Sequence, residues 1–334
     1  MKRPQADQWV LTLGAQIVEL DGGGIDSADI YFGLGDGPLP FPLVLTYVLA
    51  DFVENMRLYS QSPYFGATPY GVTGTGNASN NLILGDKGSD TLYGLDGNDT
   101  LNGGSGELGA TGNDGRDSLI GGNGDDTYRL KFYSSTFGGD VSDTVLELQD
   151  GGFDTIELSK SFVDLNLYSN VEGLNNSYYS GSGVVKLGST ARGNELDNRL
   201  VTGIGDDRLD GGDGHDTLTG GEGKDQFIFG SRPGTGPNFD AESSDVITDF
   251  TRGSDKLALN FWSFQALGNG GILASAFKVI SGGGVVDASD RLLYDQTTGQ
   301  LFYDRDGNGA AERWQIAVFS NQAQLSVTDF ILTF

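Results

Sequence analysis

Cysteine is absent from the 334 residues, histidine occurs once, as His215, and basic side chains are scarce, 20 Lys plus Arg against 46 Asp plus Glu. Each shortage removes a class of function. Without thiols there is neither a disulfide nor a cysteine nucleophile, and the usual His and Cys sets for catalytic zinc cannot be assembled. A formal charge of -26 repels phosphate backbones and anionic membranes, so nucleic acid is not an expected partner. Long apolar runs are missing as well. The longest, residues 39–53, is too short for a bilayer and carries Pro40, Pro42 and Asp51, so no membrane span is expected. After Met1-Lys2-Arg3 the apolar residues are broken by Gln8, Gln16 and Glu19, so no cleaved leader is expected either. No Gly-x-Ser-x-Gly elbow and no His-Glu-x-x-His helix occur, and the expectation is that the chain is not an enzyme.

Glycine and aspartate are what the chain has in plenty, with 54 glycines. The excess negative charge requires a cationic counterpart, and acidic side chains among glycines point to a hard metal ion with oxygen ligands. From Gly76 to Arg129 the chain divides every nine residues without insertion: GNASNNLIL, GDKGSDTLY, GLDGNDTLN, GGSGELGAT, GNDGRDSLI and GGNGDDTYR. A second block, Gly193 to Ile228, reads GNELDNRLV, TGIGDDRLD, GGDGHDTLT and GGEGKDQFI. The pattern approximates Gly-Gly-x-Gly-x-Asp-x-apolar-x. The eighth positions, Ile83, Leu92, Leu101, Ala110, Leu119 and Tyr128, then Leu200, Leu209, Leu218 and Phe227, are all apolar or aromatic.

Each part of the nonad has a physical task. Glycines at the first, second and fourth places permit tight turns whose carbonyls point inward, among them Gly88, Gly97, Gly115, Gly122, Gly124, Gly203, Gly205, Gly212, Gly214, Gly221 and Gly223. The last three residues make a minimal strand with the eighth side chain on one face. Two nonads form an 18-residue coil, and stacked coils enclose an apolar core between two parallel sheets: an all-β parallel β-roll. A cation between two stacked turns takes carboxylate or amide oxygens from sixth positions, namely Asn81, Asp90, Asp99, Asp117, Asp126, Asn198, Asp207, Asp216 and Asp225. Pairing by 18 joins Asn81 to Asp99, Asp99 to Asp117, Asp90 to Leu108, Leu108 to Asp126, Asn198 to Asp216 and Asp207 to Asp225. Leu108 breaks the ligand series and weakens both cation positions on its edge. Each block holds nine acidic and three basic residues, a repulsion that opposes stacking until divalent ions arrive.

These nonads resemble the RTX, or hemolysin-type, calcium-binding repeats, and the resemblance implies several bound Ca2+ ions. The remainder also repeats internally. VELDGGGIDSA (18–28) matches LELQDGGFDTI (146–156), aligning Glu19 with Glu147 and Asp26 with Asp154, and FVENMRL (52–58) echoes NVEGLNN (170–176). Two tandem modules are expected: a β-rich segment over 1–75 with a β-roll over 76–132, then a connecting segment over 133–192 with a second β-roll over 193–230.

Residues 231–334 are similar to the C-terminal region of serralysin-type and other type I secreted proteins, through SDVITDF (244–250) and the terminal DFILTF. That resemblance implies a β cap on the roll, an uncleaved C-terminal export signal, the type I secretion machinery as partner and an extracellular location. Asp245 is expected at the last calcium site. His215, at the variable fifth place of a nonad, is assigned no role. Asp304 to Gly309 opens like an EF-hand loop but has Gln315 where a bidentate Glu is needed, so a hairpin turn is expected. The functional expectation is a module that folds on extracellular Ca2+ and supports export. The alternatives are a surface or biofilm adhesin, a polysaccharide binder using aromatics such as Tyr47 and Tyr59, or the non-catalytic part of a secreted protease, lipase or alginate epimerase.

Overall fold

A computed structural model describes residues 8–12, 25–33, 45–61, 71–86, 88–104, 116–130, 143–149, 151–158, 162–165, 168–175, 188–230, 244–281, 286–307 and 313–334. They fall into two compact units, one of Met1–Leu158 with Tyr168–Val171, the other of Ser159–Leu167 with Glu172–Phe334.

In the first unit the chain alternates between two parallel sheets. One contains Gln8–Thr12, Ser27–Gly33, Asn55–Gln61, Leu82–Leu84, Thr100–Asn102, Thr127–Arg129 and Thr155–Glu157, neighbours in that order. The other contains Leu45–Val48, Val72–Thr75, Thr91–Asp96, Ser118–Asn123 and Thr144–Leu146. This is a parallel β-roll. Strands of only three residues suffice because each presents one inward side chain to a shared core. Ile83, Leu92, Leu101, Leu119 and Tyr128 are all 0% exposed. Strands from outside the nonads join the same ladders and supply the same layers, through Ile30, Met56, Leu58, Val72 and Ile156.

The coil length is not 18 throughout. Thr73 pairs with Thr91 and Leu82 with Thr100, a step of 18, but Thr91 then pairs with Ser118 and Thr100 with Thr127, a step of 27. The expected pairs Asp99 with Asp117, Asp90 with Leu108 and Leu108 with Asp126 are therefore wrong: one nonad's length is passed over between coils. The physical reason lies in GGSGELGAT, which offers Leu108 where the turn needs a carboxylate and Ala110 where the core needs a large side chain. Skipping it joins a full coil to a full coil, and residues 105–115, with Leu108, Ala110 and Gly115, lie outside the described residues.

The second unit repeats the plan. Gly173–Asn175, Arg199–Val201, Thr217–Thr219, Asp245–Ile247 and Trp314–Phe319 run parallel in one sheet. Phe162–Asp164, Thr190–Arg192, Arg208–Asp210, Gln226–Phe229, Lys256–Asn260 and Phe330–Thr333 form the other. Within the second nonad block the 18-residue step holds, with Arg199 opposite Thr217 and Arg208 opposite Gln226. The end of the stack is closed by aromatic side chains and a hairpin. Phe250 lies 6.0 Å from Phe227 and 5.3 Å from Phe319, ring to ring. Strands Gln300–Tyr303 and Trp314–Phe319 pair antiparallel, so the segment that opens like an EF-hand is a hairpin connection. The Asp304 carboxylate accepts the Gly307 N–H at 2.7 Å and faces Arg313 at 3.3 Å. Asn308 and Gly309 lie outside the described residues. The terminal strand Phe330–Thr333 is part of the second sheet, preceded by Asp329, which is 0% exposed.

Candidate metal centre

Each described sixth-position side chain lies immediately before the first residue of a strand, where the turn ends, and each is buried. Asp90, Asp99, Asp126 and Asp225 are 1% exposed, Asp117 and Asp207 2%, Asp216 0% and Asp245 8%. Their Oδ1 atoms form a ladder with the backbone of the preceding coil. The N–H of Val72 donates to Asp90 at 2.8 Å, Asn81 to Asp99 at 2.6 Å, Asp90 to Asp117 at 2.8 Å and Asp99 to Asp126 at 2.7 Å. In the second unit Ser189 donates to Asp207 at 2.6 Å, Asn198 to Asp216 at 2.8 Å, Asp207 to Asp225 at 2.9 Å and Asp216 to Asp245 at 3.2 Å. Asp245 thus continues the series of hydrogen bonds. The structure continues it further with residues outside the two nonad blocks: Asp143 accepts from Asp117, Asp154 from Asp126 and Asp255 from Asp225.

The second carboxylate oxygen has a different fate. Oδ2 of Asp99, Asp126, Asp207, Asp216 and Asp225 is buried and meets no hydrogen-bond donor. An ionised oxygen withdrawn from water without a partner is strongly unfavourable, and burial accordingly pushes Asp99 up to about 7 and Asp126 and Asp225 up to about 6. Asp216 is raised by burial to about 7, with the Asp197 and Asp210 charges adding to it, and Asp245 is raised by burial and then by the Asp216 charge. Burial raises Asp90 to about 6 as well, but its Oδ2 accepts the Asp86 N–H at 2.9 Å.

In the nonads of Asp99, Asp126, Asp216 and Asp225 the first glycine leaves room for that oxygen, whereas the nonad of Asp207 begins with Thr202. A Cβ on Gly94 would collide with Asp99 Oδ2, one on Gly121 with Asp126 Oδ2 and one on Gly211 with Asp216 Oδ2. These first-position glycines went unrecognised among the candidate site residues; the five-residue spacing to the aspartate was visible, but its steric meaning was not. The same hypothetical Cβ atoms on Gly94 and Gly193 meet the carbonyl oxygens of Gly121 and Gly211 in the neighbouring coil, so carbonyl and carboxylate oxygens border one small space. Of the turn glycines expected from sequence, Gly97, Gly122, Gly124, Gly205, Gly212, Gly214, Gly221 and Gly223 have positive φ. Gly88 is buried, and the Gly203 carbonyl accepts the Glu222 N–H at 2.8 Å.

Asn81 and Asn198 play another part. Asn81 Oδ1 accepts the Asn77 N–H at 2.8 Å and its Nδ2 donates to Asn77 Oδ1 at 3.1 Å. Asn198 repeats the arrangement with Asn194 at 2.7 and 3.0 Å. Each block thus begins with a neutral amide pair whose polar atoms are already engaged. His215 is exposed, and its backbone N–H donates to Asp197.

The donor set is oxygen alone, rich in ionised groups, with buried partnerless atoms beside a space only glycine leaves open. It fits a hard divalent cation, and the ions would be held by the Oδ2 atoms together with turn carbonyls. The family model for the RTX calcium-binding nonapeptide repeat matches residues 75–107, 110–130 and 192–227. A search of curated proteins finds no match. With donor chemistry and family model in agreement, the nonads of this chain are RTX calcium-binding nonapeptide repeats.

Proposed function

We propose that the chain is a calcium-triggered folding module of a protein exported by a type I machinery, unfolded where calcium is scarce and folded outside the cell. The observation that carries this reading is the set of buried, partnerless Oδ2 atoms on Asp99, Asp126, Asp207, Asp216 and Asp225. A coil buries two Leu-sized side chains, each contributing about 2 kcal/mol. It also desolvates two carboxylates, each at a cost of several kcal/mol when ionised and unpaired. The cation decides the balance. Extracellular calcium modules bind at roughly 10⁻⁴ to 10⁻³ M, so the sites are empty in a cytosol and filled outside, and filling them supplies folding free energy. Catalysis has no part in this reading, which rests on the absence of catalytic motifs from the sequence.

Circular dichroism in chelator and then in millimolar calcium tests the folding switch. Disordered chain that gains β structure on calcium addition, and far less with magnesium, supports it; a fully folded spectrum in chelator overturns it. Export is tested by expressing the chain with and without a matching type I exporter. Recovery from the medium only with the exporter supports the localisation, and retention inside both hosts overturns it.

A further inference from the structure

We propose that the divalent cation held by Asp126 Oδ2 is also held by Asp154 and by Glu147, a carboxylate from outside the nine-residue repeats. The site rests on the calcium-binding reading of the nonads, but Glu147 belongs to no nonad; it lies in the longer internal repeat, aligned with Glu19.

One carboxylate oxygen from each of the three residues lies within 4.8 Å of those of the other two. Such a span is what one ion with bonds of 2.3–2.6 Å bridges, since two ligands on opposite sides of calcium stand roughly 4.8 Å apart. Magnesium, with bonds near 2.1 Å, draws its ligands closer and keeps its waters. Proximity of acids alone proves nothing, but the environment of Asp126 adds an independent observation. Its side chain is 1% exposed, Oδ1 is occupied by the Asp99 N–H, and Oδ2 is buried without a donor. Asp154, also 1% exposed, is fixed beside it by accepting the Asp126 N–H at 2.8 Å.

The backbone explains how Glu147 arrives there. The strand Thr144–Leu146 is paired with Ser118–Asn123, and Asn170 Nδ2 holds the Glu147 carbonyl at 3.1 Å. Between Glu147 and Asp154 the chain passes through Gly151. A Cβ on Gly151 would lie 2.7 Å from the Gly122 carbonyl oxygen, 3.2 Å from that of Leu148 and 3.5 Å from Glu147 Oε2. Glycine therefore keeps open a space bordered by two carbonyls and a carboxylate, the oxygen-only surroundings that a hard cation requires.

The number of calcium ions bound by the full chain at saturation, measured by flow dialysis with radioactive calcium, tests the site. Glu147→Gln removes the charge with little change of shape, and Glu195→Gln removes the same charge from an exposed position. Wild type and Glu195→Gln should bind equal numbers, and Glu147→Gln one fewer with its calcium-induced β structure retained. Equal stoichiometry and affinities in all three chains overturn the site while leaving the folding module intact. If the wild type binds no calcium, the functional reading falls and the site with it. If Glu147→Gln does not fold, Glu147→Asp decides. Its shortened carboxylate should weaken one site by about tenfold, the scale on which displaced groups act at metal centres, and an unchanged titration overturns the site.

Discussion

The backbone N–H of Asp90 donates to Asp117 Oδ1 at 2.8 Å across 27 residues, although both residues hold the sixth place of a nonad. Asp99 and Asp126 repeat the relation at 2.7 Å. Because 27 is three nonads and a coil needs two, these strands pair across one nonad's length more than a coil requires.

Deleting residues 105–113 should therefore leave the β-roll intact. The deletion fuses Gly103-Gly104 to Asp114 and yields GGDGRDSLI, a complete nonad, while restoring the 18-residue step from Asp99 to Asp126 and from Asp90 to Asp117. The expected outcome is calcium-induced folding with an equal or lower calcium midpoint, since the shorter connection lowers the entropy of closing it. Deleting residues 94–102 instead removes a strand with Leu101 in the core and should abolish cooperative folding. Calcium titrations of both chains by circular dichroism make the comparison, and loss of folding in the first would contradict the 27-residue register.

The slip was invisible to pattern reading for a physical reason. A nonad is recognised locally, by glycines and one apolar place, whereas the register is a pairing between coils, and steps of 18 and 27 preserve the local phase equally well. Leu108 and Ala110 marked the defective unit, but not that the coils close over it. Elsewhere the pattern sufficed: the eighth-position side chains from Ile83 to Phe227, among the described residues, are the core. Asp143, sixth in GGDVSDTVL (138–146), and Asp255, sixth in FTRGSDKLA (250–258), extend the carboxylate ladder from frames that keep only part of the nonad's glycines. Asp154 was hinted at by its internal match to Asp26, because a second module copies the first.

Asp99→Asn should raise the calcium midpoint for folding more than Asp90→Asn. Both acids accept one backbone N–H through Oδ1 and both stand between two coils. They differ at Oδ2, which in Asp90 accepts the Asp86 N–H and in Asp99 has no donor. The second oxygen of Asp99 therefore has more to give an ion, and its loss removes more of the folding free energy that binding supplies. Equal midpoints for the two variants would show that Oδ2 satisfaction does not control affinity.

Acid should partly replace calcium. Burial raises Asp90, Asp126 and Asp225 to about 6 and Asp99 to about 7 in the ion-free fold, against roughly 3.9 in an unfolded chain. The folded form thus binds more protons than the unfolded form between these values. Its ion-free stability is fully present below about pH 4 and is lost as pH rises through 6 to 7. In chelator the β signal should be stronger at pH 5 than at pH 8. With calcium present the order of demand reverses, because protons compete for the same oxygens, and the calcium midpoint should be higher at pH 5.5 than at pH 8. A calcium midpoint that does not change with pH would dissociate these carboxylates from binding.

Leu95 offers a site where the protein can be improved. It occupies the second place of GLDGNDTLN, and its backbone has φ 90, a region that a β-carbon makes unfavourable and that glycine adopts freely. Gly104, Gly122, Gly212 and Gly221, at the same place in other nonads, have φ between 90 and 116. Leu95 gains little in exchange, being 44% exposed at the end of its strand and opposite Gly122. Holding a non-glycine residue in such a conformation costs on the order of 1–3 kcal/mol, while glycine's extra freedom in the unfolded chain returns roughly 0.4–1 kcal/mol of that. Leu95→Gly should therefore stabilise the calcium-loaded fold by about 1 kcal/mol and lower the calcium midpoint. Thermal unfolding in saturating calcium measures the first effect and a chelator-buffered titration the second. Destabilisation would mean that the exposed leucine packs more favourably than its backbone is strained.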